Sequence, residues 1–337
     1  MINRELIRQK VVQVIYSYFQ NGSRNIDVAE KELELSLSRA YRLYASLLLL
    51  IVEVGRMGLR MEEIRCSRAR RLGLKEQDNS RFSKNRFLLQ LEGNRQLRGY
   101  VDSQKLSWAD HEDFVRKLYL RIEGSEIYAG YMEAVADTYA DDREFWRKVY
   151  RKFFCDNDEL DDILEDMDIY WNDDKVIVDT FVLKTIKQFS EDSTDQQPLE
   201  AEYRDERDHD FAVRLLRHTI TGADTYTRYI SSTTRGWDVS RIALMDRVIM
   251  LVALAEIVTF PDIPLGVSIN EYVELAKTYS SPKSGKYVNA TLDTIAKRLA
   301  SEHKLVKDTL RDARPAGDTA AEGTAAVPGH TGRGTTD

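Results

Sequence analysis

The stretch SRIALMDRVIMLVALAEIVTFPDIPLGVSINEYVELAKTYSSPKSGKYVNATLDTIAKRL, residues 240–299, decides the fold class. Its first part belongs to DVSRIALMDRVIMLVALAEIVTF, which starts at Asp238 and is apolar on almost every side, suiting a helix at the centre of a bundle better than one on its surface. Phe260-Pro261-Asp262-Ile263-Pro264 stops it. The spacing then predicts a short helix over 269–279 with Val273 and Ala276 inward. Ser281-Pro282 supplies an N-cap and a first-turn proline for a last helix.

Apolar residues recur at spacings of three and four over most of the remaining chain, and only 6 prolines interrupt it. Asn3 is placed to cap a first helix whose face is Ile7, Val11, Val14, Ile15 and Tyr18, and Asn21-Gly22 to end it. A second helix carries Leu33, Leu37, Tyr41, Tyr44, Leu48 and Ile51, and is expected to run out near Gly55 or Gly58. Amphipathic segments follow around 84–100, 110–123, 125–139, 143–154, 158–170 and 174–189. Ser190 to Pro198 reads as a linker, and two helices near 200–221 and 223–234 lead into the apolar segment. From Ala313, 18 of 25 residues are Ala, Gly, Thr or Pro, so the tail is expected to be disordered.

The 337 residues carry a net charge of -7, but the charge is divided: +7 over 1–110, -16 over 111–210 and +2 over 211–337. Acidity therefore sits in the middle, and the ends remain compatible with an anionic partner. Two cysteines, Cys66 and Cys155, exclude a disulfide scaffold. The most apolar run, Leu47 to Val52, stops at Glu53, short of the roughly 20 residues that span a bilayer. With a charged, leaderless start, the chain reads as soluble, cytoplasmic and free of the membrane.

No catalytic or metal constellation emerges, and no cofactor is expected. The histidines form no HExxH or HxH pattern. Gly285-Lys286 resembles the end of a phosphate loop, but Ser280 replaces its first glycine and Tyr287 stands where the magnesium-binding hydroxyl belongs. The acidic run Asp156 to Asp168 lacks the central glycine of a calcium loop. Leu160, Ile163 and Met167 recur there at helical spacing, so it reads as a solvated helix face.

Two basic features remain. Arg56, Arg60, Arg65, Arg68, Arg70 and Arg71 could track phosphates or sit in a solvated loop, and the sequence leaves both open. Lys283, Ser284, Lys286, Tyr287 and Asn289 gather amides, two ammonium groups, an aromatic face and a side-chain amide at one helix start, which suits an RNA backbone and a stacked base. The competing reading is a first turn with Tyr287 half packed and the lysines in water. Lysines there oppose the helix macrodipole, so they lack a stability rationale, and Arg4, Arg8 and Lys10 on the first helix share the ambiguity.

The motifs R-I-A-L-x-D-R, D-I-P, S-I-N-E-x-V-E-L-A-K from Ser268, and S-x-K-Y-V-N followed by L-D-x-I-A resemble the NusB transcription antitermination family. DFAVRLLRHTITG (210–222) and KVVQVIYSYFQ (10–20) are similar to its helices further upstream. The family is near half this length, so the resemblance covers about 1–22 and 205–301. It implies an all-α helical bundle of NusB type formed from the N-terminal helix and the C-terminal half, with an inserted helical region. The expected division is 1–55 for the N-terminal helices, 56–198 for the insertion, 199–304 for the C-terminal bundle and 305–337 for the tail.

The resemblance further implies a non-enzymatic RNA-binding antitermination factor of the bacterial cytoplasm. Its partners would be box A of nascent ribosomal RNA, the small-subunit ribosomal protein NusE and the RNA polymerase elongation complex, with homodimerisation left open. Carried over by position, the RNA-binding residues would be Arg4, Arg8, Lys10, Tyr16, Lys283, Ser284, Lys286, Tyr287 and Asn289. Lys283 replaces a common acidic residue, which removes a repulsion towards phosphate. Ala290 replaces a common glycine. Two alternatives stand beside this reading: a helical protein-interaction scaffold using the acidic middle, and an RNA-binding module of an RNA-modification system. The second lacks any glycine-rich strand-turn-helix for a methyl donor.

Overall fold

The side chain of Asn3 accepts a hydrogen bond from the Leu6 amide at 2.9 Å, satisfying one of the donors that a helix start leaves unpaired. The helix it opens, α1 (Arg4–Gln20), ends as expected at Asn21-Gly22, where Gly22 takes φ +62°. The computed structural model describes residues 1–74, 80–203, 205–233 and 242–305. Of the tail expected over 305–337, residue 305 is described, and the rest, including the part from Ala313 expected to be disordered, lies outside the described residues.

The second helix, α2 (Ile26–Leu72), corrects the expectation that it ends at Gly55 or Gly58. It runs for 47 residues, about 70 Å at 1.5 Å per residue. The two glycines are points of close approach. A Cβ at Gly55 would lie 2.4 Å from the Leu88 side chain, and one at Gly58 would lie 2.2 Å from the Phe82 ring. The helix ends at Gly73, which adopts φ +65°.

Beyond it come α3 (Ser80–Ser83), α4 (Arg86–Gly93), α5 (Arg95–Gln104), α6 (Glu112–Glu123), α7 (Glu126–Glu133), α8 (Tyr139–Tyr150), α9 (Asp158–Met167) and α10 (Lys175–Gln188). Four helices complete the described chain: α11 (Glu206–Thr233), α12 (Leu244–Thr259), α13 (Leu265–Tyr279) and α14 (Pro282–Ser301). The two helices expected on either side of Gly222 are the single helix α11, because the missing side chain at Gly222 leaves room for the Tyr226 ring. Pro264, with its extended ψ of 142°, starts α13 at Leu265, four residues earlier than the spacing predicts.

The fold is all-α, as expected. Among the described residues the sole β feature is an isolated bridge between Ile2 and Tyr203. At the centre lies α12, whose residues Val248 to Ala255 are all buried, in agreement with its apolar pattern. Around it pack α1, α11, α13 and α14. The long α2 touches α1 and α11 on one side and α3, α4, α5, α6 and α10 on the other. It is therefore shared by both parts of the molecule. A continuous apolar core joins them.

By length and composition α2 could cross a membrane, but 78% of its most apolar window is buried inside the fold, as in a core helix.

Candidate nucleic-acid interface

Ser281 caps α14 as the sequence predicts, its hydroxyl accepting from the Ser284 amide at 3.2 Å. Pro282 occupies the first turn, where the absent N–H costs nothing. The Ser284 hydroxyl is buried and donates to Asp246 Oδ2 at 3.0 Å, which fastens the start of α14 to the start of α12. Ser284 thus positions the turn and is closed to a ligand. Lys283, Lys286 and Asn289 follow one another at three-residue intervals and are all exposed, while Tyr287 beside them is half-buried. Among the described residues neither lysine forms an ion pair.

The start of α1 is built differently. Arg8 is 4% exposed. Its Nε and Nη2 donate to the two oxygens of Glu256 at 2.8 and 3.0 Å, and Nη1 reaches Glu271 at 3.2 Å. Glu256 is fully buried and also accepts from Ser268 Oγ and Tyr272 Oη, each at 2.8 Å. Burial alone would raise its carboxyl pKa, but the Arg8 fork and the two hydroxyls hold it below the usual range.

Lys10 is 1% exposed, with Nζ 2.7 Å from Asp174 and donating to the Tyr170 carbonyl at 3.0 Å. Burial pushes the Asp174 carboxyl up to about 6, against the opposing pull of Lys10. The expectation that Arg8 and Lys10 contact RNA phosphates is therefore corrected. Both are consumed by buried carboxylates, which a cation must neutralise inside a fold.

Arg4 stays exposed, 3.6 Å from Asp208 and with its guanidinium 5.0 Å from the centre of the Phe211 ring. Tyr16 is half-buried. The two helix starts do not meet. Arg8 binds Glu256 near the end of α12 and Ser284 binds Asp246 near its beginning, about 15 Å apart along that axis at 1.5 Å per residue. Further along α1, the Gln13 amide donates to Tyr279 Oη at 3.4 Å, at the end of α13.

The arginine cluster at 56–71 is divided too. Arg56 pairs with Glu53 and Glu92, Arg60 with Glu112, and Arg65 takes both oxygens of Glu123, at 2.5 and 2.6 Å. Arg68 and Arg71 are exposed without an ion pair among the described residues. The acidic run forms α9 with Leu160 and Leu164 buried, and no group of three His, Cys, Asp or Glu able to hold a metal ion occurs among the described residues.

Sequence reasoning missed Glu256 and Asp174. A signal for Glu256 existed: it is the lone carboxylate in LVALAEIVTF, and an acid on a helix buried all round requires a buried cation. Asp174 sits in the acidic middle and carries no such mark.

A family model described as "NusB family" matches residues 175–297. The chain is 34% identical over 134 residues to the transcription antitermination protein NusB of Salinibacter ruber, spanning 37% of this chain and 82% of that protein. It is 38% identical over 105 residues to the protein of the same name from Dictyoglomus thermophilum, spanning 31% of this chain and 72% of the relative. A solved structure of T. maritima NusB shares 30% identity and covers 36% of this chain and 78% of that one, with a TM-score of 0.29.

Proposed function

The chain belongs to the NusB family, and on that premise we propose that it is a transcription antitermination factor that binds box A of nascent ribosomal RNA together with the ribosomal protein NusE. One observation supports this most: Lys283 and Lys286 stand exposed and without an ion pair among the described residues, on the first turns of α14, inside the motif that carries the family resemblance. Phosphates would lie on these ammonium groups and the helix-start amides. Asn289 would read a base edge and Tyr287 would offer the exposed part of its ring for stacking. Tyr16 extends that surface. Arg4 would reach only an RNA that runs the length of α1.

NusE adds its own surface to the RNA, and the joint complex acts on the elongating polymerase in the cytoplasm. No catalysed step is invoked. We assign the family's bundle to the first of the N-terminal helices of 1–55 and to 199–304, with 56–198 as the insertion, except that the family match from residue 175 supports counting α10 with the bundle.

The test is a titration of the full chain into a box A RNA, with and without NusE, at two salt concentrations. The reading expects tighter binding with NusE and a loss of affinity with salt that reflects phosphate contacts. Equal affinity for box A and a scrambled RNA, with NusE present, would contradict it.

A further inference from the structure

A groove of 440 Å³ lies between α1, α13 and the start of α10. Its floor and walls include Val176, Ile177, Leu275 and Tyr279, and Val176 is 78% exposed. That is a large aliphatic surface to leave in water at the seam between the family bundle and the acidic middle. Four carboxylates line it: Glu5, Asp173, Glu271 and Glu274. Among the described residues no lysine, arginine or histidine does.

The charge is only partly answered from outside the groove. Glu271 receives one bond from Arg8, which is already committed to Glu256, and Glu274 pairs with Lys277 at 2.6 Å. Glu5 and Asp173 form no ion pair among the described residues. A groove that pairs exposed aliphatic surface with uncompensated negative charge repels a phosphate backbone and complements one class of occupant.

We propose that this groove docks a basic segment of a partner protein, with an aliphatic side chain seated against Val176 and Leu275 and flanking lysine or arginine side chains on Glu5, Asp173 and Glu274. The site is separate from the α14 lysines and carries the opposite charge, so it does not depend on the RNA reading. It gives the seam between bundle and insertion a binding role of its own. The apolar contact supplies the area-dependent attraction, and the carboxylates supply orientation and rejection of acidic competitors.

The test uses the full chain and a labelled peptide of about eight residues composed of lysine and leucine, followed by fluorescence anisotropy. Its counterparts replace leucine by glycine or lysine by glutamate. The lysine-leucine peptide binds best. Val176→Asp and the pair Glu5→Lys/Glu274→Lys each weaken it by about tenfold or more, while Asp162→Lys/Glu165→Lys on the acidic α9 leaves affinity unchanged. Thermal melts of each variant confirm the fold. Three results would overturn the proposal: equal affinity of the groove variants and the native chain, loss of binding from the α9 changes alone, or displacement of the peptide by single-stranded RNA.

Discussion

Two helix starts in this molecule carry basic side chains of the same kinds, yet one is structural and the other open. At the start of α1, Arg8 and Lys10 face Glu256 and Asp174 in the interior, and Arg8 also reaches the half-buried Glu271. At the start of α14, Lys283 and Lys286 face solvent, and the adjacent acid, Asp246, accepts a hydroxyl instead. The residue type does not distinguish them. The distinction comes from the partner helix, since α12 and the loop before α10 present buried carboxylates to α1 and none to the exposed face of α14.

The largest effect that separates the two starts is on stability. Arg8→Met leaves Glu256 buried without its cation and lowers the unfolding free energy by about 3–5 kcal/mol, measured by urea denaturation. Arg8→Met/Glu256→Met recovers most of that loss, because an apolar pair replaces an uncompensated charge. A loss below about 1 kcal/mol in the single variant would mean that the pair is not buried in solution.

Lys10 and Asp174 sharpen the comparison with a smaller effect and a defined pH dependence. Lys10→Met costs about 3 kcal/mol at neutral pH, at the lower end for a broken buried pair. The Asp174 carboxyl is raised from 3.8 to about 6, so its titration favours the folded state below the lower value, and that contribution is lost as pH rises through about 6. Glu256 has the opposite sign: its lowered carboxyl stabilises the fold above its ordinary range, and the benefit fades as pH falls below 4.5. Urea titrations at pH 4 to 7 therefore show the stability of the native chain, relative to Asp174→Asn, declining with rising pH. A rising difference would reverse the assignment.

The elements of the fold were largely legible in the sequence. Asn3, Gly22, Ser281 and Pro282 act locally, and their signals carried through to α1 and α14. Gly55, Gly58 and Gly222 misled for one shared reason: a glycine that ends a helix and one that admits a neighbouring side chain look alike until the neighbour is known. On α14, Lys283, Lys286 and Asn289 lie at three-residue intervals, a spacing legible in the sequence, and the helix leaves all three exposed. Arg8 and Lys10 were misread because their acceptors lie 248 and 164 positions away in the chain. Patterning within one helix carries no record of so distant a carboxylate.

The most direct test of the whole account is the salt dependence of RNA binding in Lys283→Glu/Lys286→Glu. Both side chains are exposed, so the thermal melt stays within about 0.5 kcal/mol of the native chain. The slope of log affinity against log salt for single-stranded box A RNA falls by about 1.4, or about 0.7 for each phosphate contact removed. An unchanged affinity and slope would contradict the claim that the α14 start, and not the α1 start, faces the RNA.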